Sequence, residues 1–173
     1  MISDMSNPTN IRWVILTLIS VASFMSFVMR SNLSIVGESM ISEYHFSEIQ
    51  LGMILAAFAW GYAVFQFPGG VLGDVLGSRK AITFIAVLWG VFTILNGIIP
   101  APPIVSVTTI LVIFIVLRFL TGASHAPIFP VTGGIIANWF PVSGWGLPNG
   151  LTSTALTLGA AAAAPLMVWL MQI

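Results

Sequence analysis

Five long apolar runs divide the chain, separated by short polar stretches. They cover residues 11–36, 47–72, 81–99, 107–138 and 148–171, each boundary taken to within a few residues. None shows the period-two alternation of a barrel strand. Each is long enough to cross a bilayer as a helix, which takes about 20 apolar residues. In lipid the backbone must satisfy its own hydrogen bonds, so continuous apolar runs favour helices. The pattern predicts an all-α polytopic membrane protein with five transmembrane helices. Ser47-Glu48-Ile49-Gln50 has the form of a capping box at the start of the second. Pro100, Pro102 and Pro103 should end the third. The fourth run is too long for one straight span, so Pro127 and Pro130 are expected to kink or break it.

Composition agrees with a membrane-embedded chain. Of 173 residues, 58% are hydrophobic and 6% charged, where a soluble domain carries roughly 25% charged residues. No Asp, Glu, Lys or Arg follows Arg118. The net charge is zero, which offers nucleic acid no attraction. Cysteine is absent, which excludes disulfides, thiolate metal sites and thiol redox chemistry. Arg12 followed by Val14–Val28 imitates a signal peptide, but that run is long for one. No small-x-small cleavage pattern precedes Arg30, so this segment reads as a retained first helix.

Loop charge sets the orientation. Arg12 precedes the first helix, and Arg79 and Lys80 lie between the second and third. The loop after the first helix holds Glu38, Glu43 and Glu48 without Lys or Arg. The positive-inside rule therefore expects a cytoplasmic N-terminus and a cytoplasmic Gly70–Lys80 hairpin.

Two arginines interrupt the apolar runs. Arg in a bilayer is costly and usually faces a polar cavity. Arg30 could snorkel from the end of its helix. However, Ser20, Ser23, Ser26 and Ser34 share its helical face, which reads as a water-facing wall. Arg118 lies deeper in its run, with His125 seven residues on and pointing the same way. The pair could bind an anion or couple a proton to its movement; alternatively both could be structural hydrogen-bonding groups. Tyr62 and Gln66 share one face of the second helix and could donate to hydroxyls or carboxylates, or simply join helices. Gly52/Ala56, Ala57/Gly61 and Ala160–Ala164 read as close helix packing.

The Gly70–Lys80 stretch combines Gly70, Gly73 and Gly77, suited to tight turns, with Asp74, Arg79 and Lys80. Enzyme chemistry finds no support. Ser124 and His125 are adjacent and point about 100° apart on a helix, and there is no His-Glu-x-x-His. Two histidines and no cysteine make zinc improbable. No catalytic residue, metal or cofactor is expected.

The Gly-x-x-x-Asp-x-x-Gly-x-Arg-Lys spacing between the second and third helices resembles the signature loop of the major facilitator superfamily. Four further segments resemble its anion:cation symporter branch, which includes sugar-acid and vesicular organic-anion transporters. They are Arg30-Ser31-Asn32-Leu33-Ser34, Trp60 to Gly70, Arg118-Phe119-Leu120-Thr121-Gly122 and Asn138-Trp139-Phe140-Pro141. The resemblance implies a secondary transporter of small organic anions in a bacterial inner membrane, working by alternating access and ion-coupled. It implies that Arg30 binds the substrate carboxylate, that Tyr62 and Gln66 line the cavity, and that Arg118 belongs to a polar network. Gly70, Asp74, Gly77, Arg79 and Lys80 would form the gating loop. Where many relatives have acids, this chain has Met29 and His125, which makes His125 the candidate for proton coupling. Ser153 stands where the family often has Asn. A transporter of this family has twelve helices, so the chain corresponds to an N-terminal portion, without a sixth helix or second half. The expected partners are the bilayer, a small organic anion, a coupling proton or cation, and a separately encoded C-terminal half. The alternative is a transport-inactive half or a membrane interaction module.

Overall fold

A computed structural model describes residues 10–172 apart from 101 and 103. Pro103, one expected stop after the third run, lies outside the described residues. In chain order the described helices are α1 (Ile11–Ile35), α2 (Gly37–Tyr44), α3 (Glu48–Leu76) and α4 (Ser78–Gly97), then α5 (Val107–His125), α6 (Ile128–Trp139) and α7 (Gly146–Met171). A short 3-10 turn, Val142–Gly144, joins α6 to α7. Five spans are long and apolar enough to cross a membrane: α1, α3, α4, α5 with α6, and α7. The protein is a multi-pass helical membrane protein.

Local chemistry explains the helix ends. Ser47 Oγ accepts from the Gln50 amide at 3.2 Å, and the Ser47 amide donates to Gln50 Oε1 at 2.8 Å, closing a full capping box. Pro127 and Pro130 lack N–H groups, and their rings crowd the carbonyls of Ala123 and Ala126. The fourth span accordingly breaks between His125 and Ile128.

The Gly70–Lys80 stretch differs from the expected hairpin loop. α3 continues to Leu76 and α4 starts at Ser78, with Gly77 alone between them. Gly77 has φ 77° and ψ 149°, a conformation open essentially to glycine. Nothing in Val71–Leu76 breaks a helix, so Gly70, Gly73 and Asp74 are helical and only Gly77 makes the turn. Between α1 and α3, where a loop was expected, α2 buries Gly37 and Met40. Tyr44 fastens α2 by stacking near Phe46 and Phe114 and donating to the Ile99 carbonyl at 3.3 Å.

Packing divides the spans into two parallel pairs, α1 with α7 and α3 with α5–α6. In the second pair the backbones touch. A Cβ on Gly61 would collide with the Phe119 carbonyl, and a Cβ on Gly122 would collide with the Phe58 carbonyl. Further along, Gly69 meets Pro127 and Gly73 meets Val131. Two apolar cores close the bundle at opposite ends. One gathers Leu16, Ile19, Ala81, Ile85, Trp89 and residues of α6. The other gathers Leu33, Met40, Phe46, Ile54, Ile110 and Phe114.

Candidate functional site

Between the two cores, at mid-depth, lies a polar cluster built on the Gly61–Gly122 crossing. Gly122 falls one turn after Arg118 and three residues before His125. Because the Phe58 backbone presses on Gly122, the Phe58 ring faces both side chains. The Arg118 guanidinium carbon lies 5.7 Å from the Phe58 ring centroid. The His125 ring meets Phe58 edge-on at 5.5 Å. Arg30 reaches the same ring from α1 at 5.3 Å and also covers Phe27 at 5.3 Å and Tyr62 at 5.5 Å. Each such cation–π contact contributes up to about 2 kcal/mol when desolvated.

His125 is held firmly. Its ring stacks on Trp89 at 4.5 Å and 22°, and the Trp89 indole donates to the Ser124 carbonyl at 3.1 Å. His125 Nδ1 lies 2.9 Å from the Thr121 carbonyl. A carbonyl only accepts, so Nδ1 carries the hydrogen and Nε2 keeps a free lone pair. Nε2 is buried without a partner, as is Arg118 Nε. Arg118 is 4% exposed and His125 2%, whereas Arg30 is exposed and Tyr62 half-buried. The cluster is therefore closed on the α5 side and open on the α1 side.

Among the described residues its charge is unbalanced. Glu38, Glu43, Glu48 and Asp74 are all exposed near helix ends, so none of them neutralises the arginines. Two guanidiniums in a poorly polar interior attract an anion strongly. An apolar crevice of about 320 Å³ opens between α3, α4 and α5, lined by Phe65, Leu72, Phe84 and Leu88, but it contains no charged group.

The structure brings Arg30, Tyr62, Arg118 and His125 together. Gln66 is exposed one turn beyond Tyr62. Ser153 stands apart. α1 and α7 run in the same direction, and Gly159 packs on the Phe24 backbone. Arg30 follows Phe24 by six residues and Ser153 precedes Gly159 by six, a separation of about 18 Å along the axis at 1.5 Å per residue. The serine wall is only partly open: Ser23 and Ser26 are buried, and Ser23 Oγ donates to the Ile19 carbonyl at 2.8 Å. Asp74, Gly77, Arg79 and Lys80 are exposed at the α3–α4 junction, and Gly70 is half-buried beside Pro130. Gly52 faces open space rather than a neighbour. Sequence reasoning missed Phe58 and Trp89, because an aromatic residue inside an apolar run carries no signal of its own.

The family model of the Major Facilitator Superfamily matches residues 19–173. Over 162 residues the chain is 34% identical to the protein named Probable galactarate/D-glucarate transporter GudP of Bacillus subtilis (strain 168), covering 94% of this chain and 35% of that protein. It is 35% identical over 159 residues to Probable galactarate/D-glucarate transporter GarP of Escherichia coli (strain K12), covering 92% and 35%. It is 30% identical over 168 residues to the D-galactonate transporter of Escherichia coli O6:H1, covering 96% and 37%. The chain spans roughly a third of the length of these relatives. With its helical bundle and the family match over most of its length, the chain belongs to the major facilitator superfamily.

Proposed function

We propose that the chain is the N-terminal portion of a secondary transporter that moves small organic anions, sugar acids foremost, across a bacterial inner membrane by alternating access. The observation that carries this reading is the pair Arg30 and Arg118 on one aromatic ring between the two apolar cores, with no carboxylate beside them among the described residues. The relatives' names supply the chemical class. Arg30, on the open side, takes a substrate carboxylate as a bidentate fork. Tyr62 and Gln66 offer hydrogen bonds to hydroxyls, and Arg118 adds positive charge from behind. Ser153 serves further along the pathway, at the level of the first part of α1. The N-terminus and the α3–α4 junction face the cytoplasm, where Gly70, Asp74, Gly77, Arg79 and Lys80 form the gate.

His125 couples a proton to the anion. A proton on Nε2 adds a third positive charge beside two arginines, which the empty site opposes. A bound anion offsets that charge, so anion and proton enter together, and each promotes the other's binding to the same degree.

Uptake of radiolabelled galactarate by cells producing the protein tests the reading, with Arg30→Ala as the control. Uptake that Arg30→Ala leaves unchanged would overturn the role of Arg30. His125→Gln should flatten the pH profile of uptake, and an unchanged profile removes His125 from coupling. The second reading is a transport-inactive portion, or membrane interaction module, that needs a partner half. Uptake only when the remaining helices are supplied would select that reading.

A further inference from the structure

Phe58 is 6% exposed, apolar and inside a membrane span, and by type it is ordinary core. Its surroundings are not ordinary. Its ring is shared by both guanidiniums, at 5.3 and 5.7 Å. The His125 ring meets it edge-on at 5.5 Å, and Tyr62 lies nearly parallel to it at 6.3 Å. Four polar residues from three helices therefore touch one side chain. Its backbone is fixed by the contact with Gly122, and the ring is buried among these groups.

From this geometry we infer that Phe58 is a positioning residue for anion recognition: it holds Arg30 and Arg118 at a fixed spacing and favours a ligand with two carboxylates. For its ligand this inference rests on the transport reading above. Among the described residues, Arg30 is anchored to the α3–α5 pair through aromatic faces and not through a counter-ion. The electron-rich ring offsets part of the repulsion between the two cations. It does so through its face, which leaves the exposed Arg30 fork open to a ligand while the buried Arg118 acts on that ligand by charge. One carboxylate fills one guanidinium fork. Two guanidinium charges held by one ring, one fork open and one charge behind it, suit a dicarboxylate such as an aldarate better than a monocarboxylate.

The test separates ring electronics from ring volume. Phe58→trifluorophenylalanine keeps the size and apolarity but withdraws the negative face of the ring. Galactarate KM for uptake should rise about tenfold, the loss expected of a desolvated cation–π contact. The KM for D-galactonate should rise less. Phe58→Tyr, which keeps the ring face, should stay close to the parent, while Phe58→Leu should fall with the fluorinated variant. Unchanged KM values, or equal rises for both anions, would overturn the spacing role.

A second measurement needs no substrate. Melting of the purified protein in nanodiscs is compared for Phe58→trifluorophenylalanine, Arg30→Met and the double variant. A smaller loss in the double variant than the two single losses combined supports the Arg30–Phe58 contact. Additive losses overturn it. Coupled melting without any anion uptake would retain the positioning contact and defeat the transport reading.

Discussion

The two helix pairs of this bundle are built differently. α3 and α5 meet glycine to backbone on both sides, Gly61 on the Phe119 carbonyl and Gly122 on the Phe58 carbonyl. α1 and α7 meet glycine to backbone from one side, Gly159 on Phe24. The first pair is interlocked and holds the buried polar groups Arg118 and His125. The second holds Arg30, which reaches the first pair over the rings of Phe58 and Tyr62. At the opposite end the pairs share the core formed by Leu16, Ile19 and α6. The comparison teaches that reciprocal glycine-to-backbone contact coincides with the buried charge. The pair carrying the open arginine is joined to the other pair by the apolar core around Leu33 and by aromatic faces.

Substitutions can break this contrast, from the largest effect down. Gly122→Ala places a methyl group inside a backbone contact that neither helix can relieve without separating. It should cost about 3 kcal/mol and remove both folded protein and uptake, as read by melting in nanodiscs. A melting temperature equal to the parent's would show that the crossing is loose. Arg30→Ala should lower melting modestly, by about 1 kcal/mol for its aromatic contacts, yet cut galactarate uptake about 100-fold, the loss of one bidentate charged contact. A large fall in melting temperature would instead make Arg30 a structural strut. Gly159→Ala also collides with the Phe24 backbone, less closely than at Gly122, and α7 is largely exposed and can retreat. Its cost should be about 1 kcal/mol, below that of Gly122→Ala on the same melting assay. The reverse order would abolish the distinction between the pairs. Gly52→Ala has open space around it and should stabilise slightly, by about 0.5 kcal/mol, from better helix propensity. A measurable loss there would reveal a neighbour on that face.

Much of the architecture was legible because lipid imposes it. Long apolar runs, a capping box at Ser47 and prolines at 127 and 130 act locally, and the helices follow them. The α3–α4 junction was misjudged because three glycines and three charges look like a loop. In a helix Gly70 and Gly73 instead serve the α6 contact, and only the backbone angle at Gly77 ends α3. α2 was missed because eight residues show too little periodicity. Of the site, Arg30, Arg118 and His125 stood out as expensive residues in apolar runs. Phe58, Trp89 and the offset of Ser153 did not, since each depends on which helix lies opposite.

By itself, then, the sequence determined a membrane-spanning helical chain, its five crossings and the few polar residues whose cost in lipid demands a reason. Tertiary structure alone decided which helices pair, that Gly61 and Gly122 interlock, and that two arginines from different helices converge on one phenylalanine. The physical reason is range. Hydropathy, caps and prolines act within a helical turn or along one span, whereas a cation over a ring is made by residues 28 and 60 positions from Phe58.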